Sequence, residues 1–165
     1  MKAVTETLTT NRHVKELTVE ENRLKPEALR AISDMLHVNS DIEVLNLKEC
    51  RMGPQGKARV EISRSLCVKN CFEGAEQFGD GIDCSFLREL NLSKNDLGVE
   101  GMRALSVGLA DNSTIKTLNL SRNNLEDTAA DVLAEILEKN DSIEYLDPSW
   151  NDFSTPRGNI NLCYL

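Results

Sequence analysis

The sequence predicts an α/β solenoid: a right-handed arc of βα coils, with a parallel sheet on its concave face and helices on its convex face. Three observations predict this. Nearly the same line recurs at a fixed interval, its apolar residues alternate as in a strand, and between lines their spacing becomes that of a helix.

The recurring lines are "VKELTVEENRL" from Val14, "IEVLNLKECRM" from Ile42, "LRELNLSKNDL" from Leu87, "IKTLNLSRNNL" from Ile115 and "IEYLDPSWNDF" from Ile143. Their starts are separated by 28, 45, 28 and 28 residues. Alternation such as Leu90-Asn91-Leu92 sends both leucines to one face of a short strand and the asparagine to the other. Three positions beyond the second of these inward places stand Asn22, Cys50, Asn95, Asn123 and Asn151. There the chain turns inward, and an amide can both donate to and accept from buried backbone groups that would otherwise cost roughly 1–3 kcal/mol each. A thiol substitutes in part.

The pattern L-x-x-L-x-L-x-x-N/C-x-L is that of leucine-rich repeats. Units of this length with room for full helices resemble the ribonuclease-inhibitor-type subfamily of such repeats. The phrases "LDPSWNDF" and "LNLSRNNL" also resemble the leucine-rich repeat-containing 74 group. The resemblance implies a solenoid that binds proteins, since the subfamily includes enzyme inhibitors, GTPase activators, innate-immune sensor domains, actin-capping proteins and ciliary scaffolds.

Between strands, Ala129, Val132, Leu133, Ile136 and Leu137 fall on one helical face, as do Ala28, Ala31, Ile32, Met35 and Leu36, and Gly101, Ala104, Leu105, Gly108 and Leu109. The small residues at the head of each series (Ala28, Gly56, Gly101, Ala129) predict close approach of helix to strand. Asn39, Asn112 and Asn140 recur after the helices, where a left-handed C-terminal residue is expected.

The expected organisation is one domain over residues 1–165. It comprises a partial leading repeat with its helix in 1–13, repeats at 14–41, 42–86, 87–114 and 115–142, and a partial terminal repeat at 143–165. In the leading helix, Ala3, Val4, Leu8 and Asn11 take the places of Ala104, Leu105, Leu109 and Asn112. The 45-residue interval contains a second helix around "ISRSLCV" from Ile62, followed by an insertion at 71–85 whose glycines and acids predict a surface loop. Pro148 replaces a strand leucine and removes a ladder donor, which suits an edge strand. Neither end shows a polar cap, so the expectation is a short isoform or a fragment of a longer array.

Composition excludes several function classes. With 40% hydrophobic and 28% charged residues the chain reads as an ordinary globular protein. No apolar run approaches the ~20 residues of a membrane span, and no secretory h-region opens the sequence. A net charge of -8 argues against nucleic acid as a partner. Five cysteines without framework spacing predict reduced thiols and a cytoplasmic location.

No catalytic constellation is patterned. His13 and His37 lack a nucleophile or carboxylate at a working spacing, and no phosphate-binding glycine loop occurs. Cys67, Cys71 and Cys84 do not have a zinc spacing, and Asp80 and Asp83 lack the EF-hand ligand order. The sequence therefore predicts no enzyme activity, no cofactor and no metal. N-x-S/T triplets at Asn91 and Asn119 are by-products of the strand motif, and that at Asn112 follows a helix.

Binding is patterned. Strand alternation sends Glu16, Glu20, Lys48, Glu89, Lys94, Arg122, Tyr145, Asp147 and Trp150 to the concave face, together with Ser93, Ser121 and neighbouring polar residues. Acids gather at one end, basic residues in the middle and aromatics at the other. Tyr, Trp and Arg are the residue types enriched in interface hot spots. The expected function is a non-catalytic interaction module or scaffold that docks a protein or peptide on this face, anchored by Tyr145 and Trp150. The alternative is a regulator of an enzyme, of the GTPase-activator or nuclease-inhibitor type.

Overall fold

A computed structural model describes residues 1–52, 78–79, 81–82 and 85–154. Among these, five strands form one parallel sheet in the order β1-β2-β3-β4-β5: β1 (Glu16–Thr18), β2 (Val44–Asn46), β3 (Glu89–Asn91), β4 (Thr117–Asn119) and β5 (Tyr145–Asp147). Four helices accompany them: α1 (Lys2–Thr10), α2 (Pro26–Leu36), α3 (Gly98–Asp111) and α4 (Asp127–Lys139). The architecture is an α/β leucine-rich-repeat solenoid.

The register repeats without slippage. Leu17, Leu45, Leu90, Leu118 and Leu146 pair in sequence across the sheet, and the inner three of them are at most 1% exposed. Leu47, Leu92 and Leu120 form a second buried column, and Met52, Leu97 and Leu125 a third. Against these columns the helices lay Leu29, Ile32, Met35, Leu105, Leu109, Leu133 and Ile136, all buried. One turn of sequence thus becomes one layer of core.

Backbone groups at the turn after each strand are satisfied by the ladder residues. The Asn123 amide donates to the carbonyls of Leu92 (2.9 Å) and Leu120 (3.0 Å), while its Oδ1 accepts the N–H of Asn95 at 2.8 Å. Asn95 donates to Leu47 and Leu92 and accepts from Cys50 and Met52. Asn151 donates to Leu120 and Pro148 and accepts from Asn123 and Leu125. Cys50 fills the same position with one donor: its Sγ lies 3.0 Å from the Val19 carbonyl and also receives the Asn22 N–H. Asn22 donates to Val19 and Glu20 within its own coil.

Asn39, Asn112 and Asn140 do not adopt the expected left-handed cap. Asn112 (φ -69°, ψ 132°) and Asn140 (φ -88°, ψ 118°) are extended. Their amides reach back to the preceding coil instead: Asn39 to Leu8 and Asn11, Asn112 to Ile82 and Ser85, Asn140 to Leu109 and Asn112. Each Oδ1 also accepts two N–H groups at the start of the next strand. These residues form a second ladder, where an extended residue with a bifunctional side chain does what a left-handed cap could not.

The expected surface loop at 71–85 is corrected where the structure describes it. Phe78, Gly79, Gly81 and Ile82 are helical and buried, with Phe78 and Ile82 at 0% exposure. A Cβ on Gly79 would lie 2.6 Å from the Ala104 carbonyl oxygen, and one on Gly81 between 2.6 and 2.9 Å from Ser33. The glycines therefore permit close packing between α2 and α3. The expected helix at Ile62, with Gly56, Cys67, Cys71, Asp80, Asp83 and Cys84, lies outside the described residues. In α1, Leu8 is buried as expected, but Val4 is 49% exposed and Thr5 is the covered neighbour, because among the described helices α1 packs chiefly against α2.

Two stability predictions follow from this packing. Asn123→Ala orphans the Asn95 N–H and takes one of two amide donors from each of the Leu92 and Leu120 carbonyls. It lowers the unfolding free energy by about 3 kcal/mol, whereas Cys50→Ala lowers it by about 1 kcal/mol. Urea unfolding of both variants checks the order, and equal losses would contradict the ladder account. Gly108→Ala gains about 1 kcal/mol of helix propensity but drives a Cβ into backbone, and overpacking of this kind costs typically 1–3 kcal/mol or more. That Cβ would lie 2.0 Å from the Gly79 carbonyl oxygen. A net fall in the unfolding midpoint is expected; a rise would show that the segment at Phe78–Ile82 yields.

Candidate protein interface

The open face of the sheet is built by strand alternation. Glu16 and Thr18 on β1, Val44 and Asn46 on β2, Glu89 and Asn91 on β3, Thr117 and Asn119 on β4, and Tyr145 and Asp147 on β5 flank the leucines that point inward. At the strand ends a local turn recurs. Asn46, Asn91, Asn119 and Asp147 each accept, through Oδ1, the N–H two residues ahead. The carboxylate of Asp147 is therefore partly engaged in holding its own turn. Ser93 and Ser121, expected on the open face, are 5% and 8% exposed, and the Ser121 hydroxyl donates to Asn119 at 2.7 Å.

Just past each turn a left-handed residue recurs in every coil, Glu21, Glu49, Lys94, Arg122 and Trp150, with φ between 57° and 59°; in three coils a second follows two positions on, at Arg51, Asp96 and Asn124. The first column forms a rim along the face. None of its residues is glycine, so each position carries backbone strain of roughly 1–2 kcal/mol. The ladder residue that follows each one holds the strained turn in place.

The rim and its neighbours interact from coil to coil. Glu20 receives Lys48 at 3.6 Å and the Asn46 amide at 3.3 Å. Lys94 donates to Glu49 at 3.0 Å. The Arg122 guanidinium lies over the Trp150 ring, 4.7 Å from its centroid. Trp150 nevertheless remains 76% exposed and Tyr145 61%. Glu16 accepts a hydrogen bond from Thr18, and Glu89 is exposed on β3. Among the site residues, the structure brings Glu20 to Lys48, Arg122 to Trp150, and Lys94 to its neighbour on the face, Glu49. The signal for the last pair was register: Glu49 stands 45 positions before Lys94 across the interrupted coil.

A second row of ion pairs lines the strand starts: Arg12 and Lys15 with Asp41, Lys15 and Arg88 with Glu43, and Lys116 with Glu144. The hydrogen bond from Lys15 holds the Asp41 carboxyl below its ordinary range; desolvation opposes it, and the Arg12 hydrogen bond adds to the lowering. At the β1 end a broad open groove of about 790 Å³ is lined by Met1, Val19, Leu24, Pro26 and neighbouring charged residues. It includes Asn22 but none of the rim cations or aromatics.

Burial pushes the Cys50 thiol up, so it stays protonated and keeps its donor role in the ladder. Among the described residues no group of three or more His, Cys, Asp or Glu side chains could hold a metal ion, and no helix is long and apolar enough to cross a membrane. His37 contacts the Ser33 carbonyl through Nδ1, within its own helix end.

Comparison with known proteins agrees with this geometry. The Leucine Rich repeat family profile matches residues 83–106 and 111–134. A solved structure titled "Leiomodin-1 Actin-Binding Site 2 (ABS2)" is similar in fold, with a TM-score of 0.70 at 15% identity, covering 96% of this chain and 84% of that one. A comparison with curated protein sequences gives no match. The profile and structural matches agree with the fold, that of a leucine-rich-repeat solenoid.

The Glu49–Lys94 pair yields a pH prediction. The Lys94 hydrogen bond, then its charge, holds the Glu49 carboxyl below the ordinary glutamate range. A carboxyl depressed in the folded state stabilises the fold above its unfolded pKa, and that contribution is lost as pH falls through the folded value. Because the pair is exposed, the contribution is small. Lys94→Met moves the Glu49 titration, followed by carboxyl NMR, back up toward the ordinary range. An unmoved titration would show that the pair does not form in solution.

Proposed function

We propose that this chain is a non-catalytic protein-binding module that docks a protein or peptide partner across its concave strand face, with Tyr145 and Trp150 as anchors. One observation carries the reading: the two large aromatics on β5 and its rim are 61% and 76% exposed on a face that is polar apart from the half-buried Val44. Exposed aromatics beside an arginine are the composition of interface hot spots. The ladder gives them a rigid base, so little ordering entropy opposes docking. Helices of 13 and 14 residues in α4 and α3 favour the ribonuclease-inhibitor-type branch of these repeats. A cytoplasmic setting suits Cys50, whose thiol must stay reduced to donate in the ladder.

The neighbouring leiomodin structure is titled as an actin-binding site, which makes actin the first partner to try. The experiment is capture of partners from extract with actin included as a defined arm, followed by affinity measurement on the identified partner. Trp150 is the chain's single tryptophan, so its emission reports docking directly in any partner without tryptophan. Tyr145→Ala and Trp150→Ala are each expected to weaken binding by about 2 kcal/mol or more, roughly thirtyfold. Retained affinity in both variants, with loss instead on Val107→Asp of the convex α3, would move the interface to the helical face.

A further inference from the structure

We infer that the rim of the concave face reads a charge-polarised extended segment of its partner: an acidic residue docks on Arg122 beside Trp150, and a basic residue docks at Glu21. The inference rests on the concave-face reading above and names the chemistry of its ligand. It comes from which rim charges are already satisfied within the chain.

The rim carries Glu21, Glu49, Lys94, Arg122 and Trp150 in coil order. Lys94 and Glu49 close on one another at 3.0 Å, and the adjacent Lys48 closes on Glu20 at 3.6 Å. Arg122 differs. Among the described residues it has no carboxylate within ion-pair distance, and its one contact is the Trp150 ring at 4.7 Å. A contact of this kind engages the guanidinium's charge without using its N–H donors, which remain available to an acceptor. Their fork matches a carboxylate in two parallel hydrogen bonds, which makes Arg122 a prepared anion receptor rather than a solvated charge. Trp150 and Tyr145 supply apolar surface alongside, so the acidic residue is expected next to an aliphatic or aromatic one.

At the other end Glu21 is exposed and has no cation partner among the described residues, and Glu16 on β1 adds a carboxylate in the same coil. The middle of the rim is neutral because its pair is internal. Glu21 and Arg122 stand three coils apart, roughly 14 Å at the spacing of neighbouring strands. An extended segment covers that distance in about four residues. The ligand is therefore a short strand-like stretch with a basic and an acidic residue about four positions apart, lying across the coils.

Selection of a displayed library of short random peptides on the full chain tests this, with recovered peptides measured by fluorescence anisotropy. Recovered sequences are expected to share the opposite charges at that spacing with an apolar neighbour at the acidic end. Arg122→Gln should weaken them about tenfold or more. Arg122→Glu should recover peptides with a basic residue in the acidic one's place, and Glu21→Lys the converse at the other end. Peptides that depend on Tyr145 and Trp150 but carry no acidic residue, or that bind Arg122→Gln unchanged, would overturn the inference and leave the concave-face reading standing. Peptides indifferent to Tyr145→Ala and Trp150→Ala, or no recovered binders, would count against both.

Discussion

The bifunctional amide after each strand is the interaction on which the rest of the structure depends. A chain that turns from strand to helix every coil leaves carbonyls and N–H groups pointing into an apolar interior. Asn123 satisfies two carbonyls and one N–H, and its partners lie in both its own coil and its neighbours. Burial of the Leu45, Leu90 and Leu118 column is possible only because those groups are not left unpaired beside it. The second row, Asn39, Asn112 and Asn140, repeats the solution where the helix returns to the strand. Two side chains per coil therefore set the spacing of the solenoid.

The same constraint shapes the surface. A turn held by the ladder places the preceding residue in the left-handed region, and the strain there is borne by the hydrogen bonds that follow. Side-chain identity at that position is then free of the fold. The five coils use Glu, Glu, Lys, Arg and Trp there with φ angles within a few degrees of one another. A position where geometry is fixed and chemistry is free can be used for recognition. Exposed ion pairs between coils, such as Lys116 with Glu144 at 2.9 Å, contribute little energy but decide which charges are already occupied.

Much of this was legible in the sequence, and the rest was hidden for identifiable reasons. The strands and the inward leucines were legible because alternation and a fixed interval are properties of the chain alone. Asn39, Asn112 and Asn140 were visible as a register but misread, since a post-helix asparagine fits both a left-handed cap and a long-range amide bridge. The segment at Phe78–Ile82 was misread because glycine signals a loop as readily as close packing, and only contact with Ser33 and Ala104 separates the two. Phe78 and Ile82, four apart on one helical face, were the overlooked signal. Ser93 and Ser121 alternate like surface residues but are covered by the turn itself. Among the residues of the open face, the sequence showed which types would face outward; it could not show that Lys94 is paired with Glu49 while Arg122 lies over Trp150.

The aromatics' location on β5 has a physical logic. In the inner coils the residue after each strand donates its N–H to the next one: Val19 to Asn46, Leu47 to Asn91, Leu92 to Asn119 and Leu120 to Asp147, at 2.8 to 2.9 Å. Pro148 occupies that place after β5 and has no N–H to give. A further strand laid against β5 would lack this bond while its neighbours demanded it. Edge strands invite pairing with other chains through such rows of donors, and removal of one blunts that route. A partner docked as proposed would then meet side chains at this end, Tyr145, Trp150 and Arg122, rather than a full row of backbone donors, and side chains can be specific in a way that strand addition is not.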